Sequence, residues 1–138
     1  MREYVLDANA AIRYFLPGTT GGSEKVEQLI EDAKNGRLKI WMSVVNLGEV
    51  FYILLRSLKD DAALTYIHTL QRAVLIHEPD TDHTIYAARL KHGYKLGYAD
   101  SFAAALALEK GATLVSADPS FEKLERKLKW MKLPRFRG

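Results

Sequence analysis

Four acidic residues stand where elements of secondary structure are expected to begin, end or turn inward. Asp7 closes the apolar run "EYVLD", and Glu49 sits inside "VVNLGEVFYILL". Asp100 opens "ADSFAAALAL", and Asp118 ends "ATLVSAD". Each has an ordinary role when taken alone. Aspartate is a preferred helix N-cap, which suits Asp100; Asp7 reads as a turn residue; Asp118, in "SADPS", reads as an Asp-Pro helix start. Glu49 could be a solvated helix position. Its neighbours Val45, Leu47, Val50, Phe51, Ile53 and Leu54 leave little solvent face, however, which predicts a half-buried carboxylate that is costly unless neutralised.

If the fold gathers these acids, they repel one another unless protons or cations intervene. An all-oxygen cluster suits Mg²⁺ or Mn²⁺ rather than zinc. Such an ion polarises a phosphoryl group and lowers the pKa of a bound water, and a pair of ions can clamp attacking and leaving oxygens. The matching reaction is hydrolysis of a phosphodiester. Asn9, Ser43 and Ser116 accompany the acids. They could orient carboxylates or a metal-bound water, or serve as ordinary turn and cap groups.

Other chemistries lack their residues. There is no cysteine, so thiolate nucleophiles, thiolate metal sites and disulfides are excluded. His68, His77, His83 and His92 are scattered without metal-ligand spacing and read as structural or surface residues. His92, beside Lys91 and Lys95, is a candidate for RNA contact. The loop "PGTTGGS" lacks the Gly-Lys-Ser/Thr ending of a phosphate-binding loop, and there is no Gly-x-Ser-x-Gly nucleophile elbow.

The elements that must position the acids alternate in type. "EYVLD", "LKIWMS", "AVLIHEP" and "ATLVSAD" are short apolar runs of buried strands, and "KWMKLP" is a possible fifth. Between them the pattern predicts an entry helix over 10–16 and a helix capped by Ser23 and closed by Asn35-Gly36. A deeply packed helix over "VVNLGEVFYILLRSL" follows. A helix begins at Asp60, and another is capped by Asp80 or Thr81. The alanine-rich helix comes next, and "PSFEKLERKL" is read as the last. This alternation predicts an α/β fold, a central parallel sheet of four to five strands covered on both faces in a three-layer α/β/α sandwich. In open parallel sheets ligands bind outside the carboxyl ends of the strands, where strand order reverses, so Asp7 and Asp118 can meet there.

The whole chain, residues 1–138, is expected to be one domain with a basic C-terminal tail from about 123. The net charge of +3 and pI near 9.1 do not by themselves identify a nucleic-acid binder. The tail "KLERKLKWMKLPRFRG" is the basic part. It could meet phosphate backbones or simply be solvated. "MREYVLDANA" enters a strand without an apolar signal core, and no apolar run is long enough to cross a bilayer. A cytoplasmic protein without membrane contact is the expectation.

Four segments resemble the PIN-domain ribonucleases, and within them the VapC-type toxins of toxin–antitoxin pairs. "YVLDANAAIRYF" is similar to the family's opening strand with its first aspartate, and "SVVNLGEVFYIL" to the segment with its glutamate. "KLGYADSFAAALAL" is similar to the aspartate that precedes an Ala-rich helix, and "ATLVSADPSFEKL" to the closing strand with Ser/Thr-x-Asp. The resemblance implies catalytic and metal-holding roles for Asp7, Glu49, Asp100 and Asp118, with Ser116 as a helper and Asn9 a weaker one. It further implies Mg²⁺- or Mn²⁺-dependent endonucleolytic cleavage of RNA, often by a homodimer, and a small antitoxin that blocks the site. Pro119 departs from the polar or charged residues usual after the last acid.

Other readings keep the fold and change the function. A PIN nuclease can act in RNA processing without an antitoxin. A receiver-like signalling domain would also carry an acidic Mg²⁺ pocket, but here the first strand offers a single acid and the third ends in "HEPD". A non-catalytic RNA-binding module would leave the acids structural.

Overall fold

A computed structural model describes residues 1–15 and 22–135. Five strands form one sheet: β1 (Glu3–Leu6), β2 (Lys39–Ser43), β3 (Leu75–His77), β4 (Thr113–Ser116) and β5 (Lys129–Lys132). All neighbours pair in parallel, in the order β3-β2-β1-β4-β5. Receiver-type domains instead follow 2-1-3-4-5, so that alternative is set aside.

The helices are α1 (Ala8–Phe15), α2 (Ser23–Lys34), α3 (Val44–Leu55), α4 (Asp60–Ala73), α5 (Thr81–Tyr94) and α6 (Tyr98–Lys110). The chain builds outward from β1 to β3, then returns to the other side of β1 for β4. Right-handed crossovers in opposite directions put helices on opposite faces of a sheet. Accordingly, Tyr4, Leu6, Ile40, Met42 and Val115 pack into a core with residues of α1–α4. Val5 and Leu114, with Trp41 at its edge, pack into a second core with residues of α5 and α6. The two-residue strand period thus supplies both layers, and the α/β/α sandwich is present as the apolar runs predict.

Local chemistry explains most boundaries and corrects some. Asp80 caps α5, its Oδ1 accepting from the His83 N–H at 2.8 Å. Ser43 caps α3 through the Val45 N–H, which makes it a structural cap. Ser23, expected as a cap, is instead the first residue of α2. The cap position falls on Gly22, in the left-handed region at φ 82°, with no side-chain cap. A Cβ there would lie 3.0 Å from Pro134 Cδ, so close approach of the C-terminal segment also requires glycine.

The entry helix starts at Ala8 rather than Ala10, because Asp7 already accepts from its first turn. Most of the "PGTTGGS" loop, residues 17–21, lies outside the described residues. The predicted last helix shrinks to a 3-10 turn over Pro119–Leu124, after which the chain must turn to enter β5. The basic segment from Lys123 therefore contains an edge strand. Nor is α3 packed on every side: Tyr52 and Leu55 are exposed, because α4, α6 and the sheet cover only part of its circumference. Among the described residues, no helix is long and apolar enough to cross a membrane.

Candidate active site

Strand β1 pairs with β4 so that Leu6 faces Val115. The next residues on each side, Asp7 and Ser116, therefore emerge together at the carboxyl ends of the two strands, where the strand order reverses. An open cleft of about 670 Å³ lies there. Its lining includes Asp7, Asn9, Glu49, Asp100, Asp118 and Arg135. Four acids from α3, α6 and the ends of β1 and β4 thus share one cavity. None of the four histidines lines it. His83 is buried elsewhere, with Nδ1 2.8 Å from Glu109 Oε2.

Asp7 is 2% exposed. Its Oδ1 accepts from the Ala10 N–H at 2.8 Å, and its Oδ2 accepts a short hydrogen bond from Ser116 Oγ. Burial lifts its pKa from 3.8 to about 6. The Ser116 and Ala10 bonds oppose this rise, while Glu49 and Asp118 add to it. Ser116, fully buried, also accepts the Asp118 N–H at 3.0 Å. One hydroxyl therefore links the two strand ends.

Asp100 is not the cap of its helix. Gly97 holds that position, and Asp100 is the third residue of α6. Its carboxylate folds back so that Oδ2 lies 2.9 Å from where a Cβ on Gly97 would stand. Gly97 has φ −60° and ψ 152°, open to any residue, so glycine is needed here for space rather than for backbone freedom. Desolvation, a hydrogen bond to Asp118 and the neighbouring charges push Asp100 up to about 8. Burial also acts to raise Asp118, but the Ser120 N–H at 2.9 Å, the Asp100 bond and the Arg135 charge prevail and hold it below 3.8. The two groups are thus pushed apart, Asp100 upward and Asp118 downward, which favours a proton shared between them on the Asp100 side. Asp118 also caps the 3-10 turn, so its cap and cleft roles coexist.

Glu49 is half-buried, as its apolar neighbours predict, and among the described residues nothing hydrogen-bonds it. Asn9 lines the cleft while its Oδ1 accepts from Arg13 Nε at 3.2 Å. Two supporting residues escape a reading of sequence, and a third belongs to the basic tail that the sequence does show. Asn46, fully buried, donates through Nδ2 to the Ala99 carbonyl at 3.1 Å and ties α3 to the first turn of α6. Arg13 is fully buried on α1, and the Asp7 charge favours its charged form against the desolvation that lowers its pKa. Arg135 brings a cation to the rim from the C-terminal segment. For Asn46 and Arg13 the only local signal is a polar Asn and an Arg within apolar runs.

The donor chemistry fits a hard divalent cation. All the acids offer oxygen, and the raised pKa of Asp100 beside Asp118 marks a place where positive charge is favoured. Among the described residues no three His, Asp or Glu side chains close into a ready metal cage. Magnesium keeps several waters and commonly takes only one or two carboxylates, so an open rim suits it.

The family model described as the PIN domain matches residues 4–127. No curated protein gives a significant match. Among solved structures the chain is similar to VapBC2 from Rickettsia felis bound to a DNA fragment from its promoter. That match has 20% identity and TM-score 0.72, and covers 95% of this chain and 98% of that one. The DNA-bound VapBC from Salmonella typhimurium gives 17% identity and TM-score 0.75, over 96% and 98%. VapC20 from Mycobacterium tuberculosis, a sarcin-ricin loop cleaving toxin, gives 15% identity and TM-score 0.64, over 80% and 86%.

Proposed function

The chain belongs to the PIN domain family, and on that premise we propose that it is a metal-dependent endoribonuclease, the toxin of a VapBC-type pair. The observation that carries this reading is the single cleft lined by Asp7, Glu49, Asp100 and Asp118 at the β1–β4 switch. The toxin–antitoxin proteins with similar folds, one of them a sarcin-ricin loop cleaving toxin, support it. The exposed Tyr52 and Leu55 on α3 support a protein partner, a small antitoxin or a second copy in a homodimer.

Asp7, Glu49, Asp100 and Asp118 would hold Mg²⁺ or Mn²⁺; the ion would polarise the phosphodiester and lower the pKa of a water. The chain's own residues do the rest. Ser116 and the Ala10 N–H fix both oxygens of Asp7. A cation bound there would favour the charged form of Asp100, which desolvation and the neighbouring acids otherwise disfavour. Glu49, free of hydrogen bonds among the described residues, is able to accept a proton from the attacking water. Arg135 offers a guanidinium to a substrate phosphate at the rim.

Incubating the protein with total cellular RNA and Mn²⁺, then mapping new ends, tests the proposal. Discrete ends should form with Mn²⁺ and vanish in EDTA and in Asp7→Asn. Undiminished cleavage under either condition would rule out this site.

A further inference from the structure

A second group of side chains lies outside the cleft, around Tyr94 at the end of α5. Lys91 Nζ donates to the Leu96 carbonyl at 2.8 Å, and Lys123 Nζ donates to the Tyr94 carbonyl at 3.1 Å. Lys127 Nζ stands over the Tyr94 ring, 5.7 Å from its centroid. Lys91, His92 and Lys95, with Ala88, line an open groove of about 470 Å³. Lys95 itself ends the helix in the left-handed region, at φ 53°. Among the described residues none of these lysines is in an ion pair; Glu122, the nearest acid before Lys123, pairs with Lys132 at 3.8 Å.

We propose that this lysine cluster binds the phosphate backbone of single-stranded RNA and holds the strand next to the acidic cleft. The proposal rests on the ribonuclease reading for its direction along the strand. The two connections that carry the lysines also carry the acids. Lys95 lies five residues before Asp100, and Lys123 lies five residues after Asp118. A 3-10 turn rises about 2 Å per residue, so Lys123 stands about 10 Å beyond Asp118.

The chemistry favours a nucleic acid backbone over a protein. A protein interface needs an apolar centre, whereas the groove contributes one alanine and three basic side chains. The exposed apolar side chains are spread over several helices, Tyr52 and Leu55 on α3, Ile85 on α5 and Tyr98 on α6 among them, and none of these lines the groove. The bond from Lys123 caps the last carbonyl of α5 and that from Lys91 holds the chain just after it, yet an ammonium has three protons, and those left over point charge at solvent from a fixed position.

The test is binding of a labelled single-stranded RNA of about 20 nucleotides, in EDTA so that it is not cut, across a range of salt. Lys95→Asn/Lys127→Gln touches no backbone hydrogen bond, and asparagine tolerates the left-handed region, so folding is preserved. It should weaken binding about tenfold and flatten the log–log salt slope by about 1.4, the value for two phosphate contacts on a single strand. Lys91→Gln/Lys123→Gln should do the same. Unchanged affinity and slope in both double variants would overturn the proposal, as would a loss confined to polyglutamate used as an acidic-protein probe. Weakened RNA binding by a chain that cuts no RNA would support the docking surface and count only against the nuclease reading.

Discussion

Ser116 and Asp7, separated by 109 residues in the chain, share a short hydrogen bond in which the serine hydroxyl donates to Oδ2 of the carboxylate. The same oxygen of Ser116 receives the Asp118 N–H. A hydroxyl can donate once and still accept, so one small side chain aligns the ends of β1 and β4 and orients two of the four acids. It is a positioning residue, acting through Asp7.

Ser116→Ala should leave Asp7 buried with one partner fewer. The bond to Ser116 lowers the Asp7 pKa, so its loss should raise that pKa further, visible as an upward move of the Asp7 carboxyl titration by NMR in metal-free protein. Stability should fall by about 1–3 kcal/mol, the range for a buried polar group deprived of its partner. An unmoved titration would show that Ser116 does not set the state of Asp7.

Gly97→Ala tests how Asp100 is aimed. The added methyl would sit 2.9 Å from Asp100 Oδ2, and since the backbone conformation suits alanine, the carboxylate is what must move. RNA cleavage should drop about tenfold or more, as misplacing a reacting group does, with a change of only a few degrees in Tm, about 1 kcal/mol at a cap position. Full activity in a folded variant would detach Asp100 from the reaction.

Asp100→Asn should separate stability from activity. An amide can donate to Asp118 as the protonated carboxyl does, and it removes a charge that desolvation and three acidic neighbours disfavour. At about pH 8, in EDTA, the variant should melt no lower than the parent, while cleavage with Mn²⁺ falls about a hundredfold or more. A lower melting temperature with cleavage retained would contradict both expectations.

Stability of the metal-free protein should decline as pH rises above about 4. Asp7 and Asp100 have folded pKa values, about 6 and about 8, above the ordinary 3.8. Between those values the folded chain binds more protons than the unfolded chain, so the slope of stability against pH is negative. For Asp7 the full loss is about 3 kcal/mol, complete once pH passes about 6. Asp118, held below 3.8, acts in the opposite sense and only in stronger acid. Urea unfolding in EDTA from about pH 5 to about pH 9 checks this, and a rising profile would refute it.

How much of this was legible beforehand varies by residue. The strand runs around Val5, Ile40 and Leu114 declare themselves by apolar content, and Asp80 declares its cap by its place before α5. Glu49 is half-buried, as its neighbours require. Asp100 misleads, because cap chemistry and cleft chemistry use the same residue type, and only the fold distinguishes a cap from a third helical residue. Asn46 and Arg13 give almost no signal, since their importance comes from partners on other elements, whereas Arg135 belongs to a tail whose basic character the sequence shows.

The sequence by itself determined the alternation of strand and helix and the acids at or near the ends of the elements, because apolar period and end chemistry are settled within a few neighbouring residues. Only the tertiary structure decided that β4 lies beside β1, that Asp100 folds back over Gly97, and that Asp7 and Asp100 retain protons where free carboxylates would not. Those outcomes depend on desolvation and on charges contributed by distant segments, quantities that exist only once the layers have packed.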